Sequence, residues 1–131
     1  MIGLDTNILI RYFAQDDAEQ SARASAIIEQ QISKDNLGFI SAIVMVEVVW
    51  VLVRLYRMQM SDIMMIVKEL LNAVDIQIEH HEEVWQAQQL ATSGTVDFAD
   101  ALLGAIHRKA GCDYTLTFDK KVATHALFKS A

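Results

Sequence analysis

The stretch TVDFADALLGAIHRKAGCDYTLTFD, Thr95 to Asp119, decides the fold class. It reads as a helix, a tight turn, a short strand, and an acid just past the strand's end. Asp97 and Asp100 stand three apart at the mouth of an otherwise apolar helix, ALLGAI, and such residues share one helical face. Gly111 falls where a helix C-terminus favours glycine. Tyr114 to Phe118 has the aromatic and threonine content of a strand, and Asp119 follows at its carboxyl end. In open α/β sheets, ligand sites gather outside the carboxyl ends of strands. The chain opens with the same device, since Ile2–Gly3–Leu4 is a short apolar strand that runs into Asp5, Thr6 and Asn7. Two strands ending in acids, with a helix that carries acids at its start, predict one shared pocket of carboxylates. Such a pocket needs a cation.

Working outward, Thr6 or Asn7 is expected to cap the short helix ILIRYF. Asp16 and Asp17 precede a helix from about Ala18 to Ile32 whose inner side carries Ala22, Ala26, Ile27 and Ile28. Lys34 to Asn36 is a turn and LGFIS a second strand. Ser41 is a reasonable cap for AIVMVEVVWVLVRLY, a helix apolar nearly all round and so expected to be buried on most sides. Glu47 is the only charge between Asp35 and Arg54, and a carboxylate there is costly unless paired or bound to a metal. Ser61 would cap DIMMIVKELLNAV. DIQIE (Asp75 to Glu79) alternates like a strand, and a helix from His80 to Thr92 closes at Ser93–Gly94. After the organising helix and strand, a last helix is expected over roughly Lys120 to Ala126. Alternating strands and helices predict one α/β domain over residues 1–131, with a mainly parallel sheet between helical layers.

Composition sets limits on function. A chain of 131 residues, 53% hydrophobic, supports a real core and leaves apolar surface for a partner. Its formal charge of −6 argues against holding nucleic acid by overall attraction. A metal-dependent nuclease can still be acidic, because bound divalent ions reverse the local field. Cys112 is the only cysteine, so no intrachain disulfide forms, which fits a reducing cytoplasm. No uncharged apolar run approaches the roughly 20 residues of a membrane span, and no basic-then-apolar leader begins the sequence.

Five acids are candidates. Asp5 and Asp119 lie at strand ends, Glu47 sits inside an apolar helix, and Asp97 and Asp100 open a helix. An oxygen-rich, histidine-poor set favours Mg²⁺ or Mn²⁺ over zinc. Each acid also has an ordinary reading. Asp97 is a natural N-cap, and capping alone is its leading explanation. Asp100 would favour the helix dipole, Asp119 could cap the last helix, Asp5 could be a turn acid, and Glu47 could pair with Arg54 or Arg57. The combination is what points to metal chemistry. His80 and His81 are adjacent, so they point to different helix faces and make a poor metal pair. His107 and His125 read as structural, and Trp50 and Trp85 as core or interface.

Four segments carry a family resemblance. LDTNILIRYF, SAIVMVEVVWVL, DFADALLGAI and TLTFD resemble, in order, the four motifs of the PIN-domain ribonucleases, and specifically the VapC-type toxins of bacterial toxin–antitoxin pairs. The motif acids match Asp5, Glu47, Asp100 and Asp119, with a Ser/Thr position at Thr117. The similarity runs from about Ile2 to Val122. It implies a three-layer α/β/α domain and a Mg²⁺- or Mn²⁺-dependent endoribonuclease in which water acidified by the ion attacks the scissile phosphorus in line. Asp5 would be the central ligand, with Glu47, Asp100 and Asp119 completing the shell. Asn7 and Thr117 would orient these acids, Arg11 could meet a substrate phosphate, and the role of Asp97 is open. The resemblance further implies an RNA substrate, a VapB-like antitoxin and a homodimer, here built from the methionine-rich Met58–Met65 region and the apolar helix around Glu47. The short tail after Asp119 predicts that the family's final edge strand is missing or abbreviated. A housekeeping RNA-processing nuclease of the same fold and a non-catalytic PIN-like binding module are the alternatives.

Overall fold

The computed structural model describes residues 1–131. They gather into two compact units, Met1–His81 and Glu82–Ala131.

The first unit runs β1 (Ile2–Gly3), α1 (Thr6–Ala14), α2 (Ala18–Ala26), β2 (Gly38–Ile40), α3 (Ala42–Arg54), α4 (Met60–Asn72) and β3 (Ile76–Ile78). The three strands form a parallel sheet in the order β1-β2-β3, with Gly38 between Ile2 and Ile76. Glycine leaves room for tightly packed side chains at that central position. A Cβ there would stand 3.0 Å from both the Ile76 and Leu4 side chains and 3.2 Å from that of Ile32. Helix α1 packs on α2 and α3, α3 on α4, and α4 on β3.

The caps differ from expectation. Asp5, rather than Thr6 or Asn7, occupies the N-cap of α1. Helix α4 begins at Met60, one residue before Ser61, and has no side-chain cap. Helix α2 gives way to a single π-helical segment over Ile27–Gln31. It buries Ser21 and Ala24, whereas Ala22 is exposed and Ala26, Ile27 and Ile28 are half-covered. Ser41 does cap α3, its Oγ accepting from the Val44 amide at 3.2 Å. Glu79, just beyond β3, adds a second cap by accepting from the Ala42 amide at 2.9 Å.

Helix α3 is buried on one stripe only. Met45, Val48 and Leu52 are fully covered, while Ile43 and Trp50 are 73% and 55% exposed and Glu47 lies between them on the open face. Apolar content all round the helix reflects apolar surface left open, not burial on most sides. Glu47 thus keeps its charge in water and needs no buried partner.

The second unit contains α5 (His81–Thr92), α6 (Phe98–Lys109), β4 (Thr115–Thr117) and β5 (Phe128–Ser130). The predicted final helix is only a 3₁₀ turn over Val122–Thr124. The doubtful edge strand is present as β5, which pairs in parallel with β4 from Thr115↔Phe128 to Thr117↔Ser130. A link as short as Phe118–Leu127 leaves little room for the usual helical crossover. Phe128 seats β5 on α6 at Gly104, where a Cβ would approach the ring to 2.9 Å. Gly111 ends α6 at φ +104, with its own amide bonded to Arg108 and that of Cys112 to His107. His107 Nδ1 lies 2.9 Å from Thr115 Oγ1, tying α6 to β4. Lys109 meets the buried Glu83 at 3.3 Å, joining α5 to α6.

Candidate metal centre

In the first unit two acids far apart in sequence meet at one threonine. Strand β1 ends as Asp5 turns into α1, and Asp5 Oδ1 accepts the Thr6 amide at 2.8 Å. Because Thr6 is the first helical residue, its side chain turns inward and is 6% exposed. Its Oγ1 donates to Glu47 Oε1 at 3.2 Å. Asp5 and Glu47 are themselves exposed. Neither Arg54 nor Arg57 pairs with Glu47, which removes the ion-pair reading of that acid.

Thr6 is the residue that sequence reasoning missed. Asn7, named for the orienting role, is exposed and bonds neither acid.

Three acids lie within electrostatic reach of one another in the second unit. Asp100 holds its proton more tightly than an ordinary aspartate, through partial burial first and then the charges of Asp97 and Asp119. Asp97 stands at the N-cap of α6, yet its side chain accepts no capping bond, so capping alone does not account for it. Asp119 is doubly fixed. Its amide donates to Thr117 Oγ1 at 3.0 Å, a bond that holds the Asp119 backbone. Its Oδ1 accepts the Lys121 and Val122 amides at 2.9 and 3.1 Å, capping the 3₁₀ turn. No basic side chain pairs with Asp97, Asp100 or Asp119.

Within neither unit do three such side chains converge into a ready-made metal cluster. The donors available are nevertheless all carboxylate oxygens. That set favours a hard divalent cation over zinc.

The remaining candidates have structural tasks. Arg11 is held by Gln20 Oε1 at 2.8 Å, Asp16 Oδ1 at 3.1 Å and the Tyr56 hydroxyl at 3.0 Å. Tyr56 in turn donates to Asp16 Oδ2 at 2.7 Å. That hydrogen bond, aided by Arg11, holds the Asp16 carboxyl below its usual range. His81 Nε2 is bonded to the Leu71 carbonyl at 2.9 Å. His125 Nδ1 accepts the Leu127 amide. Trp50 is largely exposed, not core, and Trp85 is half-covered.

No curated protein compared with the chain matches it. The PIN domain family does, over residues 2–126, a span that takes in most of both units and the candidate acids Asp5, Glu47, Asp100 and Asp119. Six α-helices and exclusively parallel strands agree with the α/β/α layering of that class. The chain belongs to the PIN domain family.

Proposed function

We propose that this protein is a Mg²⁺- or Mn²⁺-dependent endoribonuclease and the toxin of a toxin–antitoxin pair, acting in the cytoplasm as a single nuclease domain over residues 1–131. PIN domains are in general metal-dependent nucleases. One observation carries the reading for this chain. Its motif acids are drawn together two by two, Asp5 with Glu47 on Thr6 and Asp100 with Asp119, and no cation of the protein's own balances either pair.

Asp5, Glu47, Asp100 and Asp119 are the residues that would hold the ion. When bound, it would acidify the attacking water and neutralise charge at the scissile phosphate. The chain's own part is positioning. Thr6 fixes the Asp5 and Glu47 oxygens, and Thr117 together with the Lys121 and Val122 amides fixes Asp119. Asp97 raises the charge density beside Asp100. The open face of α3, with Ile43 and Trp50, and the exposed Met65 of α4 support a homodimer. In the toxin reading, a VapB-like antitoxin covers or fills the acidic site. The housekeeping nuclease differs in having no such inhibitor.

The test is incubation of antitoxin-free protein with a mixed RNA pool in Mn²⁺ or Mg²⁺, beside EDTA and Asp5→Ala controls. Cleavage abolished by both controls is expected. Neither cleavage nor Mn²⁺ binding would instead make the chain a binding module.

A further inference from the structure

We propose that a cleft on the first unit, lined by Asn7, Arg11, Gln20, Arg23 and the apolar Ile8, Ala24 and Ile27, binds a backbone phosphate of the RNA strand. This rests on the nuclease reading and extends it. The cleft has a volume of about 260 Å³, room for a phosphate and its sugar. It is lined by two guanidinium and two amide groups and by no carboxylate, in a chain of net charge −6. Arginine's planar fork suits phosphate oxygens, and side-chain amides add donors.

The two arginines differ in a way that suits the task. Arg11 is pinned through Nε and Nη1, which leaves Nη2 unbonded. Its charge is largely spent on Asp16. Arg23 is exposed and makes no hydrogen bond or ion pair, so its charge is the one free to be neutralised by a ligand. The position along α1 also fits. Asp5 caps the helix that carries Asn7 and Arg11, so the cleft begins on the first turns beyond the candidate metal ligand. A strand with its scissile phosphate at Asp5 would have to run along α1 for a following phosphate to enter the cleft. The apolar Ile8, Ala24 and Ile27 offer a surface to the sugar, and a contact made to the phosphate carries no sequence preference of its own.

The experiment is fluorescence anisotropy of two labelled single-stranded oligoribonucleotides of unrelated sequence, in EDTA, over a series of KCl concentrations. Wild type is compared with Arg23→Gln, Arg23→Lys and Lys34→Gln, the last an exposed lysine outside the cleft. Arg23→Gln is expected to weaken binding several-fold for both sequences and to reduce the slope of log K against log[salt] by roughly 0.7, one phosphate contact on a single strand. Arg23→Lys should restore the slope, and Lys34→Gln should match wild type. An unchanged slope in Arg23→Gln, or a loss confined to one sequence, overturns the cleft. Absence of wild-type binding at the lowest salt overturns it too, and cleavage by the same preparation in Mn²⁺ then tells whether the nuclease reading falls with it.

Discussion

Thr6→Val removes one hydroxyl and separates holding the candidate metal ligands from holding the fold. Valine keeps the β-branch and hence the stiff side-chain torsion that a first-turn position imposes. It also keeps the Thr6 amide, so the bond to Asp5 Oδ1 survives and only the bond to Glu47 Oε1 is lost. A hydrogen bond to a charged group contributes about 1.5–3 kcal/mol. Here the acceptor is exposed, so water replaces the lost donor and most of that value returns. The new methyl, in a site 6% exposed, adds about 0.8 kcal/mol of apolar burial. The net stability change is therefore under about 1 kcal/mol, a melting shift below roughly 5 °C.

The effect on metal affinity is larger. Loss of a group that orients a ligand typically weakens metal binding by about 10- to 100-fold. Free of Thr6, Glu47 has to be ordered by the ion itself. Calorimetric Mn²⁺ titration of wild type, Thr6→Val and Thr6→Ser, with thermal unfolding of each, reads both quantities. Serine retains the hydroxyl but loses a buried methyl, so it should bind Mn²⁺ almost as wild type does while melting lower. Affinity retained in Thr6→Val, or lost equally in both variants, would refute the assignment of Thr6 as the residue that positions Glu47.

Three further outcomes are expected. Gly104→Val drives a side chain into the Phe128 ring, and overpacking of about 1–3 kcal/mol outweighs any helix-propensity gain. Its melting temperature should fall and be partly recovered by Phe128→Leu. In EDTA, Asp100 binds its proton more tightly folded than unfolded, so its stabilising contribution is complete below the ordinary aspartate range and is lost as pH rises through the raised value. Asp100→Asn should flatten that pH profile and melt above wild type at neutral pH, by no more than about 1 kcal/mol once solvent screening is allowed for. Divalent metal should raise the wild-type melting temperature, by about 2.7 kcal/mol of stability at a hundredfold excess over Kd, and should raise that of Asp5→Ala far less.

What the sequence discloses is local chemistry, and what it hides is which face is covered. Ser41 and Gly111 could be read because a cap or a left-handed turn demands a residue type within a few positions. The strand-end positions of Asp5 and Asp119 were legible from the short apolar runs before them, although the cap of α1 was expected at Thr6 or Asn7 and is Asp5. Glu47 was placed on the right helix but with the wrong surroundings, since counting apolar neighbours cannot tell a buried stripe from an exposed one. The predicted last helix failed because its tail had to return to pair with β4, a tertiary demand that overrode a short helical propensity. For Arg11 a phosphate contact and a structural role were equally open in the sequence, because Tyr56, which helps hold it, is far away along the chain.

A carboxylate with one oxygen fixed and the other unbonded is not by itself a metal ligand. Asp17 has that geometry as the plain cap of α2, its Oδ1 accepting from the Gln20 amide. Asp16, by contrast, spends both oxygens on Arg11 and Tyr56, as a purely structural acid does. What separates Asp5, Glu47 and Asp119 from Asp17 is where their support comes from. Asp5 and Glu47 share a buried threonine that bridges α1 and α3, and Asp119 is gripped from both sides by Thr117 and the following turn, beside an aspartate already burdened with its charge. At Asp100 folding has thus set a half-buried carboxyl near two further acids with no internal counter-ion, an arrangement that costs free energy unless a proton or a cation is bound.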